Sequence, residues 1–164
     1  MKIETQLELK KYIQIVFILS YRKPTIIGIT LFGIFIVSST MIQLGSSPFN
    51  GISSLLLFFF PLIILILPFS IYRNAKKNFE STPRIQEKIN YEFTNEQIKI
   101  SGESFTTELT WEKTYKVLEL KNWILIYQNP RVANVIPKEA FGNNLGEFRE
   151  LVRSKPFIKQ KLKG

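Results

Sequence analysis

The chain has no cysteine, no histidine and no aspartate, and all thirteen of its carboxylate side chains are glutamates. These absences exclude disulfides, zinc sites built from cysteine and histidine, and the Ser-His-Asp and Cys-His catalytic arrangements. The sequence also lacks the glycine-rich loops G-x-x-x-x-G-K-[ST] and G-x-G-x-x-G that cradle phosphates. We therefore predict a protein that is not an enzyme and that holds neither a metal nor a cofactor.

Charge is absent from one long stretch, because no charged residue lies between Lys23 and Arg73. Within this stretch, residues 25–44 and 52–71 are dominated by large apolar side chains. At about 1.5 Å per residue, each segment is long enough as a helix to cross a hydrocarbon core of about 30 Å. The intervening residues 45–51 are turn formers. The sequence therefore predicts a transmembrane helical hairpin over residues 24–72.

Lysine and arginine flank the uncharged stretch on both sides and are missing from the predicted hairpin loop. The positive-inside rule then places both termini in the cytoplasm, which predicts a multi-pass protein of the bacterial plasma (inner) membrane. Cations near an anionic leaflet also attract lipid headgroups. The candidates for this contact are Lys10, Lys11, Arg22, Lys23, Arg73, Lys76 and Lys77.

Two shorter segments adjoin the hairpin. Thr5 and Glu8 have the spacing of a capping box, which predicts that residues 1–23 form a cytoplasmic or interfacial helix. Residues 73–84 are polar and end near Pro83, which predicts a short linker helix.

Residues 85–164 change to an alternating pattern of apolar and polar side chains, interrupted by turn residues. This period of two is typical of antiparallel strands. The last part becomes helical, with Asn144 as a candidate cap and an apolar stripe at helical spacing up to Pro156. The predicted fold class is an α+β membrane protein, in which the hairpin precedes a pleckstrin-homology-like antiparallel β domain capped by a C-terminal helix.

The same region resembles the YcxB-like family, which comprises small bacterial membrane proteins with a helical hairpin before a pleckstrin-homology-like domain. The most specific part is the Ile-Pro-Lys-x-x-Phe tract that begins at Ile136, followed by Phe148 and Arg149. Further matching segments are Tyr91–Phe93, Leu109–Trp111 and Leu125–Tyr127. The resemblance implies the fold and the membrane topology but no particular activity.

Four residues of the β domain are candidates for binding a partner: Trp123, Lys138, Arg149 and Arg153. Trp123 follows a predicted turn and fits either the core or an interfacial anchor. Lys138 follows Pro137 and fits either a ligand contact or an ordinary surface position. Trp111 shares its parity with Leu109, which predicts a core residue.

These observations favour a membrane-anchored interaction module that binds a protein partner or a lipid headgroup at the cytoplasmic face. Two alternatives stay open: an immunity or defence protein that acts through its hairpin, and an accessory subunit of a membrane complex. The net charge of +9 reflects in part the topology signal, and no nucleic-acid motif accompanies it, so nucleic acid is not favoured as a partner. The sequence also leaves homo-oligomerisation open.

Overall fold

The chain divides into two units in a computed structural model that describes residues 1–44 and 51–163. We call Glu8–Pro83 the helical unit, and Met1–Leu7 together with Arg84–Gly164 the β unit. The predicted hairpin loop, residues 45–51, lies outside the described residues except for Gly51.

The helical unit contains α1 (Leu9–Ser20), α2 (Pro24–Leu44) and α3 (Gly51–Ser81), and α3 packs along both other helices. The bounds of α2 match the predicted first span closely. Helix α3 contains the predicted second span and continues to Ser81, so most of the predicted linker is the end of α3 rather than a separate helix. Residues 72–81 contain neither glycine nor proline, so nothing local ends the helix before Pro83. A short helix, α4 (Pro83–Gln86), follows.

Among the residues that the structure describes, no single helix is long and apolar enough to cross a membrane. The consecutive segments Leu9–Ser20 and Pro24–Ser39 reach that length and hydropathy only as a pair, and they bend by 72° at the break between them.

The helix predicted over residues 1–23 is present as α1, but its first residues were wrongly predicted as helix. They form strand β1 (Lys2–Gln6), which pairs antiparallel with β2 (Lys88–Phe93) in the β unit. Ile3 and Thr5 are buried while their neighbours along β1 are exposed, so the strand alternates as a half-buried strand should. Thr5 therefore does not cap a helix, and α1 begins only at Leu9. The capping-box spacing is a local signal for a helix, but pairing with β2 makes these residues a strand instead.

Two four-stranded sheets make up the β unit. The first has the order β1-β2-β3-β4, is antiparallel throughout, and includes β3 (Gln97–Ser101) and β4 (Thr106–Thr110). The second has the order β7-β6-β5-β8 and contains β5 (Lys116–Glu119), β6 (Trp123–Tyr127), β7 (Ala133–Pro137) and β8 (Lys159–Lys161). Strand β8 pairs with β5 in parallel, whereas the other pairs are antiparallel. Helix α5 (Leu145–Arg153) lies between β7 and β8 in the chain.

The core of the β unit joins residues of both sheets and α5. Phe93 lies at its centre, with ring centroids 5.1 Å from Phe148, 6.1 Å from Phe141 and 6.4 Å from Trp111. The predicted core position of Trp111 is confirmed, since it is 2% exposed and its indole N–H donates to the Thr94 carbonyl at 2.9 Å. The predicted strands and C-terminal helix are likewise present, so the α+β class of this region is confirmed.

Candidate functional site

A single carboxylate lies inside the β unit, at the end of β5. Residues 117–120 are all buried, and Glu119 is the only charged residue among them. The Glu119 side chain has no exposed surface. A buried carboxylate needs cations and hydrogen-bond donors, because water no longer solvates it.

Three segments that are distant in sequence supply these partners. Arg149 of α5 donates from Nε to Oε2 at 3.1 Å and from Nη2 to Oε1 at 2.6 Å, in the two-pronged geometry that suits a guanidinium and a carboxylate. Lys138, in the 3-10 turn that follows β7, places its Nζ against Oε1. The backbone N–H of Lys163 donates to Oε2 at 2.9 Å. We call Glu119, Lys138 and Arg149 the ionic cluster.

The ionic cluster keeps Glu119 ionised. Burial of the carboxyl would by itself raise its pKa, but the hydrogen bonds from Arg149, Lys138 and the Lys163 N–H outweigh burial and lower the pKa to about 2. The hydrogen bond to Glu119 in turn raises the pKa of the Arg149 guanidinium. A carboxylate with so low a pKa holds no proton near neutral pH, so it is poorly suited to act as a general acid or base.

The hydrogen bonds and ion pairs of Glu119 connect four parts of the β unit: β5, the turn after β7, α5 and the segment after β8. Lys138 and Arg149 are only partly exposed, with 17% and 25% of their side-chain surfaces accessible. Two cations face one carboxylate, so the ionic cluster carries a net charge of about +1. Across the described residues, no group of three or more carboxylate, histidine or cysteine side chains could hold a metal ion.

The structure brings together two of the four partner-binding candidates and separates the others. Lys138 and Arg149 meet at Glu119, which the sequence analysis did not single out. Arg153 lies one turn beyond Arg149 on α5 and is exposed. Trp123 is 2% exposed, which selects the core reading over the interfacial anchor, and its buried indole nitrogen has no hydrogen-bond partner in the described chain.

A sequence signal for Glu119 did exist. It is the lone charge in the Val-Leu-Glu-Leu run, and an ionisable residue in such a strand is either buried with partners or marks an exposed edge. The partners themselves lie 19, 30 and 44 positions away, and no local pattern connects them.

The lipid-contact candidates all belong to the helical unit. Six of the seven are exposed, and Lys11 is half-buried. One of them, Lys76, pairs with Glu80 at 3.8 Å across one turn of α3, and both side chains of that pair are well exposed.

The ionic cluster lies within the part of the chain that matches a protein-family model. No curated protein and no solved structure matches this chain. Residues 93–152 match the family model described as YcxB-like protein. This region is the one in which the specific Ile-Pro-Lys-x-x-Phe tract and the following Phe-Arg pair occur. The match confirms the resemblance to the YcxB-like family that the sequence predicted.

Proposed function

We propose that this protein is a membrane-anchored, non-enzymatic interaction module of the bacterial plasma membrane. Its helical unit is the anchor, with both termini in the cytoplasm. Its β unit, a pleckstrin-homology-like domain, binds a protein partner or a lipid headgroup at the cytoplasmic face.

The observation that carries the anchor is the exposed apolar surface of the helices. Large apolar side chains of α2 and α3 are between 44% and 75% exposed, and no charged residue lies between Lys23 and Arg73. Soluble monomers rarely expose contiguous apolar surface on this scale, whereas a bilayer covers it. These side chains include Ile27, Ile29, Leu31, Phe32, Ile34 and Phe35 on α2, and Phe59, Leu62, Ile66 and Phe69 on α3.

The exposed cations around Lys23 and Arg73 support the orientation. They sit at the two ends of the uncharged stretch, where the positive-inside rule expects the cytoplasmic boundary. Their ammonium and guanidinium groups are accessible for headgroups of an anionic leaflet, and each such contact is worth about 1 kcal/mol.

The β unit supports the interaction role through its architecture. Two packed sheets closed by α5 provide a rigid support, and the pleckstrin-homology-like order of strands followed by a helix is consistent with a binding domain. Anchoring raises the effective concentration of the β unit at the membrane, so a weak site suffices for occupancy.

The topology can be tested with single cysteines, because the chain contains none of its own. We expect Ser47→Cys to react with a membrane-impermeant maleimide in intact cells, and Asn122→Cys, in the turn after β5, to react only after permeabilisation. Both variants should stay in the membrane fraction after alkaline carbonate. Labelling of Asn122→Cys in intact cells would reverse the orientation, and release by carbonate would reject the anchor.

The interaction role can be tested by crosslinking in native membranes. A photoreactive residue at Arg153, exposed on α5, is expected to capture a specific protein or lipid, and the same residue at Phe35 on α2 is expected not to capture that protein. Mass spectrometry identifies the products. Capture of a protein through position 35 alone would favour the defence protein or the subunit of a larger complex.

A further inference from the structure

Two lysines lie side by side at the edge of the second sheet. Lys116 of β5 is the register partner of Lys159 of β8, and Lys161 follows two residues later, opposite Leu118. Adjacent strands are about 4.8 Å apart, so the backbones of Lys116 and Lys159 are neighbours and both side chains start from the same face of the sheet. We call Lys116, Lys159 and Lys161 the lysine edge.

The ion pairs of the described residues leave the lysine edge out. Among the described residues, none of its three lysines forms an ion pair with a glutamate, and the carboxylate that β5 does contribute, Glu119, is occupied by the ionic cluster. Two of the lysines contact aromatic rings instead: Lys116 lies 5.7 Å from the ring centroid of Tyr127, and Lys159 lies 5.6 Å from that of Tyr115. Such contacts stabilise the cations and leave their N–H donors available.

The position of β8 beside β5 is held at both of its ends. Before β8, Ile158 is 3% exposed and belongs to the core. After β8, the backbone N–H of Lys163 is bound by Glu119. The lysines of β8 are therefore held next to Lys116 in the sheet. Neighbouring cations at one sheet edge create a positive local potential, which attracts anions.

We propose that the lysine edge binds the phosphate of an anionic phospholipid headgroup. Lysine binds phosphate as a point charge, and several ammonium groups near one another are suited to a phosphodiester with one negative charge or a phosphomonoester with up to two. The aromatic side chains beside the edge favour lipid over a soluble anion: Tyr115 is 41% exposed, and Phe157, just before β8, is 58% exposed. Exposed aromatic rings are typical of the membrane–water interface. The inference rests on the proposed membrane anchor.

The test titrates the full-length protein in detergent with dioctanoyl phosphatidic acid, whose headgroup is a phosphomonoester, and measures affinity by calorimetry. The triple variant Lys116→Gln/Lys159→Gln/Lys161→Gln is expected to bind more than about tenfold more weakly than the wild type. The single variant Lys159→Gln, an exposed position that leaves the fold intact, is expected to lose about fivefold.

A matched control removes three lysines elsewhere on the β unit: Lys88→Gln/Lys99→Gln/Lys121→Gln. Its net charge equals that of the test variant, and its affinity is expected to stay within about twofold of the wild type. An equal loss in both triple variants would show general attraction rather than a site and would overturn the proposal. Unchanged binding in Lys159→Gln and in the triple variant would overturn it as well.

Inorganic phosphate separates the two sources of the anion. We expect it to compete with phosphatidic acid at least about tenfold less well than dioctanoyl phosphatidylglycerol, because it lacks the glycerol and acyl contacts with the aromatic rings. Equal competition would make the occupant a soluble anion and overturn the lipid assignment. Carbonate extraction of the wild type shows which proposal has failed. Release of the protein from the membrane would reject the membrane anchor. Retention in the membrane, together with unchanged lipid affinity in the lysine variants, would reject only the lysine edge.

Discussion

Glu119→Gln is expected to lower the free energy of unfolding of the β unit by about 3 kcal/mol at neutral pH. The change leaves the volume of the side chain almost unchanged but removes the negative charge that Arg149 and Lys138 face, so two cations stay partly buried without their counterion. A shift of the Glu119 pKa from 4.5 to about 2 corresponds to a contribution of similar size.

The effect can be measured by urea unfolding of the full-length protein in detergent, followed by tryptophan fluorescence. Both tryptophans, Trp111 and Trp123, lie buried in the β unit and report on it alone. The control is Glu108→Gln, which removes an exposed carboxylate paired with Lys99 at 3.8 Å and should cost less than about 0.5 kcal/mol. Equal costs in the two variants would contradict a stabilising role of the ionic cluster.

The same variant predicts a pH dependence with a definite sign. Because folding lowers the pKa of Glu119, its contribution is fully present above about pH 4.5 and is lost as the pH falls through about 2. The difference in unfolding free energy between wild type and Glu119→Gln should therefore be on the order of 3 kcal/mol at pH 5. It should decrease steadily as the pH is lowered to 2. A difference that stays constant over this interval would assign the stabilisation to packing rather than to charge.

Phe93→Ala is expected to destabilise the β unit by about 3–5 kcal/mol. Phe93 is 2% exposed and is the ring that contacts Trp111, Phe141 and Phe148 together, so its loss leaves a cavity that no single neighbour can fill. The edge-to-face contact between the rings of Phe93 and Phe148, whose centroids are 5.1 Å apart, joins the first sheet to α5. Such a contact contributes about 0.5–1.5 kcal/mol of stability in addition to the burial of apolar surface.

Urea unfolding measured by far-ultraviolet circular dichroism checks this prediction without relying on the fluorescence of the neighbouring Trp111. The matched control is Phe157→Ala, the same chemical change at a position that is 58% exposed, for which we expect a cost below about 0.5 kcal/mol. A cost for Phe93→Ala as small as that of Phe157→Ala would mean that the aromatic cluster is not the centre of the core.

The sequence predicted the elements whose side chains repeat with a clear period. Strands β2 and β3 alternate with a period of two, and α5 carries Phe148 and Val152 on one apolar face. Strand β6 is instead a short, continuous apolar run, so local pattern was sufficient for these elements. Strand β1 was missed although Ile3 and Thr5 alternate with polar residues. A segment of only five residues fits both a short alternating strand and the start of a helix with a capping box, so the local pattern does not distinguish them. Only pairing with β2, more than eighty residues away, decides between them.

Strand β8 and the candidate sites illustrate the same limit more strongly. The three residues of β8 are Lys-Gln-Lys, with no apolar alternation, and they become a strand because Ile158 and the Lys163 N–H are held on either side. The ionic cluster and the lysine edge are both made of residues from separate segments. Their chemistry depends on side chains that lie close together in the fold but far apart in the sequence, and no repeating sequence pattern predicts that proximity.

By itself the sequence determined the uncharged stretch from residue 24 to residue 72, the alternating strands, the terminal helix and the family resemblance. These are properties of neighbouring residues, and hydropathy and periodicity encode them directly. The tertiary structure alone decided that Lys2–Gln6 is a strand, that Trp123 is buried, and that Lys138 and Arg149 meet at Glu119. Whether a charge is buried and paired or free to bind depends on what the whole fold brings beside it.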